Sequence, residues 1–384
     1  MVGIIQEQHP DRARLFMQWK QMDWPILVDS LDLLQVQVVP LTLAIDEYGI
    51  IRQIQPRRDR LAQFRKTFVE VEFAEPPGVE ASSSPQPATG SPLVESTSDG
   101  PAALRSRAHE RYLWGDETDI DELLAAFESA VAADPGHGYE LFRTGVAYRR
   151  RYDSSRARRG DFQRAVRYWE RALEVDPNNY IWRRRIQQYG PRLDKPYPFY
   201  DWVPVARREI AARGEVPSPL VVEPGGAEFA GPAQRFAIDQ QPSSPPELND
   251  RILRDQGEFV LAESTMVPST VAPGASTRAH VTFVPNDAIK AHWNNEVDGL
   301  VFWVDVPEGW QVDHRVLTVP NPPAAVSREL RKVELEIQVP DGAAAGPVLL
   351  QGYALYYVCE DVNGVCLYRR QDVPLQLRVA RQPQ

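Results

Sequence analysis

The stretch "VVPLTLAIDEYGIIR" (residues 38–52) decides how the first part of the chain is read. Two short apolar runs flank Glu47-Tyr48-Gly49, with the glycine suited to a tight turn, so the segment predicts two strands in a hairpin. Working outward, "GIIQEQH" (3–9) and "WPILVDS" (24–30) carry two further apolar strands. Between them "PDRARLFMQWKQMD" (10–23) places Leu15, Phe16 and Trp19 near one helical face, with Pro10 in the permitted first turn. "RRDRLAQFRKTFVE" (57–70) closes the block as a helix with Leu61, Phe64 and Phe68 on one face. Residues 1–73 therefore read as strand, helix, strand, strand hairpin, helix. A covered-looking strand at Val2–Ile5 places residue 1 inside a domain, and the expectation is that an upstream element completes it.

Composition bounds the rest. With 43% hydrophobic and 25% charged residues over 384 positions, the chain has material for two or three soluble globular domains. A net charge of -10 argues against general binding to nucleic acid or anionic membranes. No run of eighteen apolar residues and no secretory signal pattern occurs, so no membrane partner is expected, and a cytoplasmic or a periplasmic parent both remain open. Two connectors divide the chain. Residues 74–103, rich in Pro, Ser, Gly and Glu, read as a disordered linker that leaves the first block tethered and not fused. Residues 193–250 are Pro-rich and read as a capping and connecting segment.

The segment at 38–52 resembles the later half of the thioredoxin-like fold, in the redoxin and alkyl-hydroperoxide-reductase branch. That resemblance implies that Pro40 is a cis-proline facing the active-site cysteines, with Val39 presenting its backbone to an extended substrate. It also implies a Cys-x-x-Cys or a peroxidatic Cys on a strand-to-helix turn upstream, and residues 1–73 contain no cysteine. Thiol–disulfide exchange needs a thiolate, so this block alone is catalytically silent. The expectation is a truncated redoxin domain with unpaired sheet edges, or a shortened docking version of one.

Residues 104–192 are helical and repeat a phrase, "LLAAFESAVAADPGH" and "AVRYWERALEVDPNN", each ending in Asp-Pro. This is similar to the second helix of tetratricopeptide repeats. Gly145, Tyr148, Ala165, Trp169, Ala172 and Pro177 match one copy, and Leu123, Phe127, Ala130 and Pro135 the other. Small residues there let helices approach closely, and the proline stops the second helix. The stretch between Tyr148 and Ala165 is about eight residues longer than the 34-residue repeat allows, so "YDSSRARRGD" is a long interhelical loop or a lengthened helix. The aromatic "YPFYDWVPVARREI" (197–210) is expected to cap an end of the stack. The resemblance implies a protein partner in a concave groove. Arg149, Arg150, Arg151, Arg158 and Arg159 could grip acidic groups bidentately, or form a solvated helix face.

Residues 251–381 change to strands punctuated by Pro and Gly, with Val333, Leu335, Ile337 and Val339 alternating, as in an antiparallel sandwich of immunoglobulin-like type. Its only cysteines lie in "YYVCEDVNGVCLYRR". A four-residue loop, Asp361 to Gly364, sets Cys359 directly opposite Cys366 and allows a cross-strand disulfide; a two-residue Asn-Gly turn opposes Cys359 to Tyr368 instead. This hairpin resembles the N-terminal domain of bacterial periplasmic thiol:disulfide reductases. That likeness implies that Cys359 and Cys366 are a redox pair exchanging with a thioredoxin-like partner; a structural disulfide and two inert thiols are the other readings. His292 lies in "NDAIKAHWNNEVDG" with no metal-ligand spacing, and reads as a packed residue beside Trp293. No cofactor or metal motif occurs.

The expected fold class is multidomain α+β: a partial thioredoxin-like α/β domain, an α-helical tetratricopeptide stack and a C-terminal antiparallel β-sandwich. The expected activity is thiol–disulfide exchange or peroxide reduction, with a non-enzymatic scaffold or adaptor as the alternative.

Overall fold

The Asp-Pro phrases end helices. In a computed structural model, which describes residues 2–36, 41–54, 60–75, 100–192, 200–229, 244–246, 252–361 and 364–381, the helices before them stop at Ala133 and Val175, each one residue ahead of the aspartate. The protein is mixed α+β. The first block gives β1 (Gly3–Ile5), α1 (Pro10–Lys20), β2 (Ile26–Val28), β3 (Leu43–Ile45), β4 (Ile51–Ile54) and a short α2 (Leu61–Phe64) that continues as a π-turn. β1 pairs in parallel with β2, and β3 pairs antiparallel with β4; among the described residues the two pairs form separate two-stranded sheets. Ile4, Leu27, Ile45, Ile51 and Ile54 remain exposed on them.

Five helices follow: α3 (Pro101–Trp114), α4 (Ile120–Ala133), α5 (Gly138–Tyr152), α6 (Asp161–Val175) and α7 (Tyr180–Gln187). The residues expected at the helix contacts lie at the core. Leu123, Phe127, Ala130, Ala165, Trp169 and Ala172 are all buried. Gly145 explains the close packing of α5 on α6: a Cβ there would lie 2.4 Å from Trp169 Nε1 and 2.9 Å from the Ala165 carbonyl oxygen. The extra residues form the loop 153–160, not a longer helix. The helix at Pro101 begins three residues inside the segment assigned to the linker, because a proline suits the first turn and Gly100 precedes it extended.

The C-terminal region places β5 (Val260–Val267), β6 (Thr270–Val271), β7 (Ser276–Pro285), β8 (His292–Asn294), β9 (Leu300–Val304), β10 (Gln311–Val312), β11 (Val316–Val319), β12 (Val326–Ser327), β13 (Arg331–Gln338), β14 (Gly346–Leu350), β15 (Gly352–Cys359), β16 (Cys366–Asp372) and β17 (Leu375–Val379). One sheet runs β10-β13-β7-β5, a second centres on β15, and a third runs β14-β17-β6. They share one apolar core that includes Val281, Phe302, Val333, Leu335, Ile337 and Tyr356. On β15, β9 pairs with Gly352–Leu355 and β8 with Val358–Cys359, end to end along one edge, while β16 takes the other edge.

Two placements differ from the sequence reading. The first block is docked onto the helices, not merely tethered: Leu31 is buried in the helical core, Arg143 Nε donates to the Leu31 carbonyl at 3.0 Å, and Arg185 donates to Gln8 at 3.0 Å. The part of the aromatic segment that is described, from Tyr200 on, packs against the first block where a cap on the helical stack was expected; residues 197–199 lie outside the described residues. It forms α8 (Trp202–Ala212), whose Val203, Ala206 and Ile210 bury Leu15 of α1, while Trp202 stacks on Trp19. The apolar stripe of α1 needed a partner, and α8 supplied it.

Gly145→Ala should lower stability by about 1–3 kcal/mol through overpacking against Trp169. The check is a urea midpoint followed by tryptophan fluorescence; an unchanged midpoint would refute the close-approach account.

Candidate functional site

Cys359 and Cys366 are opposite in register on β15 and β16 and are joined as a disulfide, with Cα atoms 4.0 Å apart. The four-residue loop is thus the one adopted; Val362 and Asn363 within it lie outside the described residues. The next residue in each strand, Val358 and Leu367, faces the apolar core. Alternation along a strand therefore turns both cysteines to the opposite, outward face. Cys359 is 2% exposed, whereas Cys366, on the outer strand, is open to solvent. One cysteine is enclosed and its partner is exposed.

The row continues one strand further. His292 on β8 is opposite Cys359 in register, so Cys366, Cys359 and His292 line up across three strands. Its neighbour Trp293 points into the core and donates through Nε1 to the Glu329 carbonyl at 2.8 Å, which leaves His292 on the cysteine face. His292 is 8% exposed, and among the described residues its ring has no hydrogen-bond partner. Lys290 Nζ lies 3.7 Å from Asp361 Oδ2, and Arg328 donates to the Lys290 carbonyl at 2.9 Å. Tyr357 and Tyr368 form the next pair on the same face of the hairpin, ring centroids 4.4 Å apart. The sequence held the signal for this row in the loop length, but the pairing of β8 with β15 joins residues about 65 positions apart and no local pattern announces it.

The arginines divide. Arg149 is buried against Tyr152, Phe162 and Tyr189 and pairs with Asp153 at 2.8 Å. Arg151 is buried between Asp161, at 2.6 Å, and Asp121, at 2.7 Å. Of the five arginines expected to grip acidic groups or to form a solvated helix face, these two are drawn inward by nearby acids and aromatic rings. Arg150 bonds the Tyr112 carbonyl and lies over its ring. Arg158, paired with Asp121, and Arg159 remain outward; Arg159 lines a cleft of about 610 Å³ with Gln163, Arg254 and Asp372. Val39 and Pro40 lie outside the described residues.

A second polar cluster, unforeseen from sequence, joins the three parts of the chain. Tyr189, after α7, bonds His9 through its hydroxyl at 3.0 Å, stacks on Trp169, and accepts from His280 Nε2 at its carbonyl, 2.7 Å away. Beside it Arg12 forms a buried ion pair with Glu228, which also accepts from Gln188 at 2.8 Å. The adjoining cavity of about 420 Å³ is lined by groups already paired with one another, among them Arg149 with Asp153 and Arg278 with Glu334. Burial, then Arg149, Arg12 and Arg185, push the His9 imidazole well below its ordinary range, so it is neutral in the fold.

Among the described residues no helix is long and apolar enough to cross a membrane, and no group of His, Cys, Asp and Glu is placed to hold a metal. No protein-family model matches the chain, and no curated protein does. Among solved structures, AvmM, described as catalysing macrocyclization in alchivemycin A biosynthesis, is 13% identical, with 35% of this chain and 97% of that one covered at a TM-score of 0.22. The fimbrial subunit AggA of Escherichia coli is 13% identical over 34% of this chain and 98% of its own, at 0.19. Spo0M, a sporulation control protein of Bacillus subtilis, is 10% identical over 32% and 50%, at 0.18. Likeness this slight carries no argument about fold or function.

The neutral His9 makes docking of the first block depend on pH. Its folded pKa lies below the unfolded 6.5, so the stability it contributes is present above about pH 6.5 and is lost as pH falls below that. Asp32, whose carboxyl burial and then Asp29 push up to about 6, works in the opposite sense. Comparison with His9→Gln isolates the histidine: the wild type should lose more of its urea midpoint between pH 7 and pH 5.5 than the variant does. Parallel losses would show that His9 contributes nothing to acid sensitivity.

Proposed function

We propose that this protein exchanges thiols and disulfides with a protein dithiol through Cys359 and Cys366. The observation that carries the reading is the asymmetric disulfide: a solvent-facing Cys366 on an outer strand bonded to an enclosed Cys359. Exchange requires one sulfur that a thiolate can reach and a second that can leave. A core disulfide serving stability alone needs neither. Seven positions separate the cysteines, so the entropic gain from the bond is only roughly 2.5 kcal/mol, little for a sandwich with so large an apolar core.

On this reading the first block is the later part of a thioredoxin-like domain without a nucleophile of its own, the helices are tetratricopeptide-like and bind a protein partner, and the C-terminal sheets form an immunoglobulin-like carrier of the redox pair. The partner is a thioredoxin-like protein. A second reading, a non-enzymatic adaptor, draws on a different observation: the exposed Ile4, Leu27, Ile45, Ile51 and Ile54 of the first block give a docking surface that requires no chemistry.

The two separate on one assay. The oxidised chain is mixed with thioredoxin, thioredoxin reductase and NADPH, and its thiols are counted by alkylation and intact mass. Under the exchange reading the disulfide is reduced and re-forms reversibly, with a midpoint within reach of the thioredoxin couple at about −270 mV, and Cys366→Ser abolishes turnover without unfolding the sheet. A disulfide that resists excess reduced thioredoxin leaves the adaptor reading.

A further inference from the structure

We infer that His292 delivers the proton to Cys359 when a partner thiolate opens the disulfide at Cys366. The inference rests on the exchange reaction proposed above and specifies which sulfur reacts and what receives the charge. The three residues form one row across β16, β15 and β8. A thiolate displaces a sulfur along the line of the bond it breaks. The approach to Cys366 along that line comes from beyond β16, where Cys366 is exposed; the described segment that bonds the outer edge of β16, Leu253 to Asp255, meets it at Arg370, four residues further along the strand. The corresponding approach to Cys359 comes from the side of His292, which is itself only 8% exposed and belongs to a paired strand. Access therefore selects Cys366 as the sulfur attacked and Cys359 as the leaving group.

The step balances as follows. The partner's thiolate forms a bond to Cys366 Sγ, the Cys359–Cys366 bond breaks, and its electron pair stays on Cys359 Sγ. The His292 imidazolium gives that sulfur a proton and becomes neutral. The partner's second thiol loses its proton to water and, as thiolate, attacks the partner sulfur bonded to Cys366; that bond breaks, Cys366 leaves as a thiolate and takes a proton from water, so the partner dithiol is oxidised to a disulfide and the chain holds two thiols, and His292 recovers its proton from water. An imidazole suits the task because it can hold and release a proton, and directly opposed residues on adjacent strands have Cβ atoms about 4.5–5.5 Å apart.

The charged groups around the cysteine row are paired with one another. Lys290, two residues before His292, and Arg328, just beyond β12, bring two cations to this corner. Asp361 answers Lys290 at 3.7 Å and Asp287 answers Arg328 at 3.7 Å, both pairs at the surface. Glu360 follows Cys359 and is exposed, and Glu329 is engaged by Arg331 at 3.2 Å. The His292 ring is the group in this set that is enclosed, in the cysteine row and without a hydrogen-bond partner among the described residues.

The test uses the full chain with dithiothreitol as the reducing probe, acid quench, alkylation and mass readout across pH 5 to 9. His292→Gln keeps size and polarity but removes the titrating proton. Opening of its disulfide should slow about tenfold near pH 6 and converge on the wild-type rate above about pH 8. In a Cys366→Ser background, the pH at which Cys359 becomes alkylated by iodoacetamide should shift upward when His292→Gln is added. With glutathione as a single-thiol probe on the unmutated chain, peptide mapping should find the adduct on Cys366. Superimposed pH profiles overturn the role of His292, and an adduct on Cys359 overturns the direction of attack, a result that holds even if His292→Gln fails to fold. If dithiothreitol gives the His292-dependent profile while reduced thioredoxin leaves the bond intact, His292 stands as proton donor and the protein-dithiol reading fails.

Discussion

Tyr189 is the point through which three parts of the chain are held. Its hydroxyl meets His9 of the first block, its ring lies flat on Trp169 of α6, and its carbonyl receives the His280 proton from β7. Around it Arg149 spreads over three rings, and Arg12 reaches Glu228 from the far side. Each of these groups is expensive to bury alone and tolerable when paired. The consequence is mutual dependence: a polar group removed from any one of the three parts leaves a buried partner unsatisfied in another.

That dependence also explains why both faces of β7 are covered. One face joins the apolar core of the sheets, while Arg278, His280 and Thr282 of the other are buried against the helical side. Glu334 and Glu336, which a simple alternation would place in water, answer Arg278 there, and Glu336 also accepts from the Arg192 backbone at 2.8 Å. The strand is therefore buried on both faces, one apolar and the other polar and paired.

How much was legible follows from the range of the interactions. Leu123, Phe127, Ala165 and Trp169 could be placed because helix packing repeats at a fixed period, and counting the loop left two registers for the cysteine hairpin, of which the one opposing Cys359 to Cys366 is adopted. The docking of the first block could not be read, since it depends on single polar groups such as His9 and Tyr189, 180 residues apart. The run of arginines misled for a related reason. A charged helix looks the same in sequence whether its acids lie in water or, like Asp153 and Asp161, have turned inward with it. The aromatic segment at 197–210 was legible as one that packs on something, but its mate was not, because the apolar stripe of α1 looks like any other.

The end-to-end placement of β8 and β9 along β15 has a mechanical meaning. Near Gly352 the strand is held by β9, whose own outer neighbour is β11, whereas the cysteine end rests on two residues of the three-residue β8 and on β16. A break between the sulfurs would thus loosen a tip and not a sheet: the perturbation has little leverage on the core behind it, and the oxidation state of the hairpin can change without the remainder of the molecule having to respond.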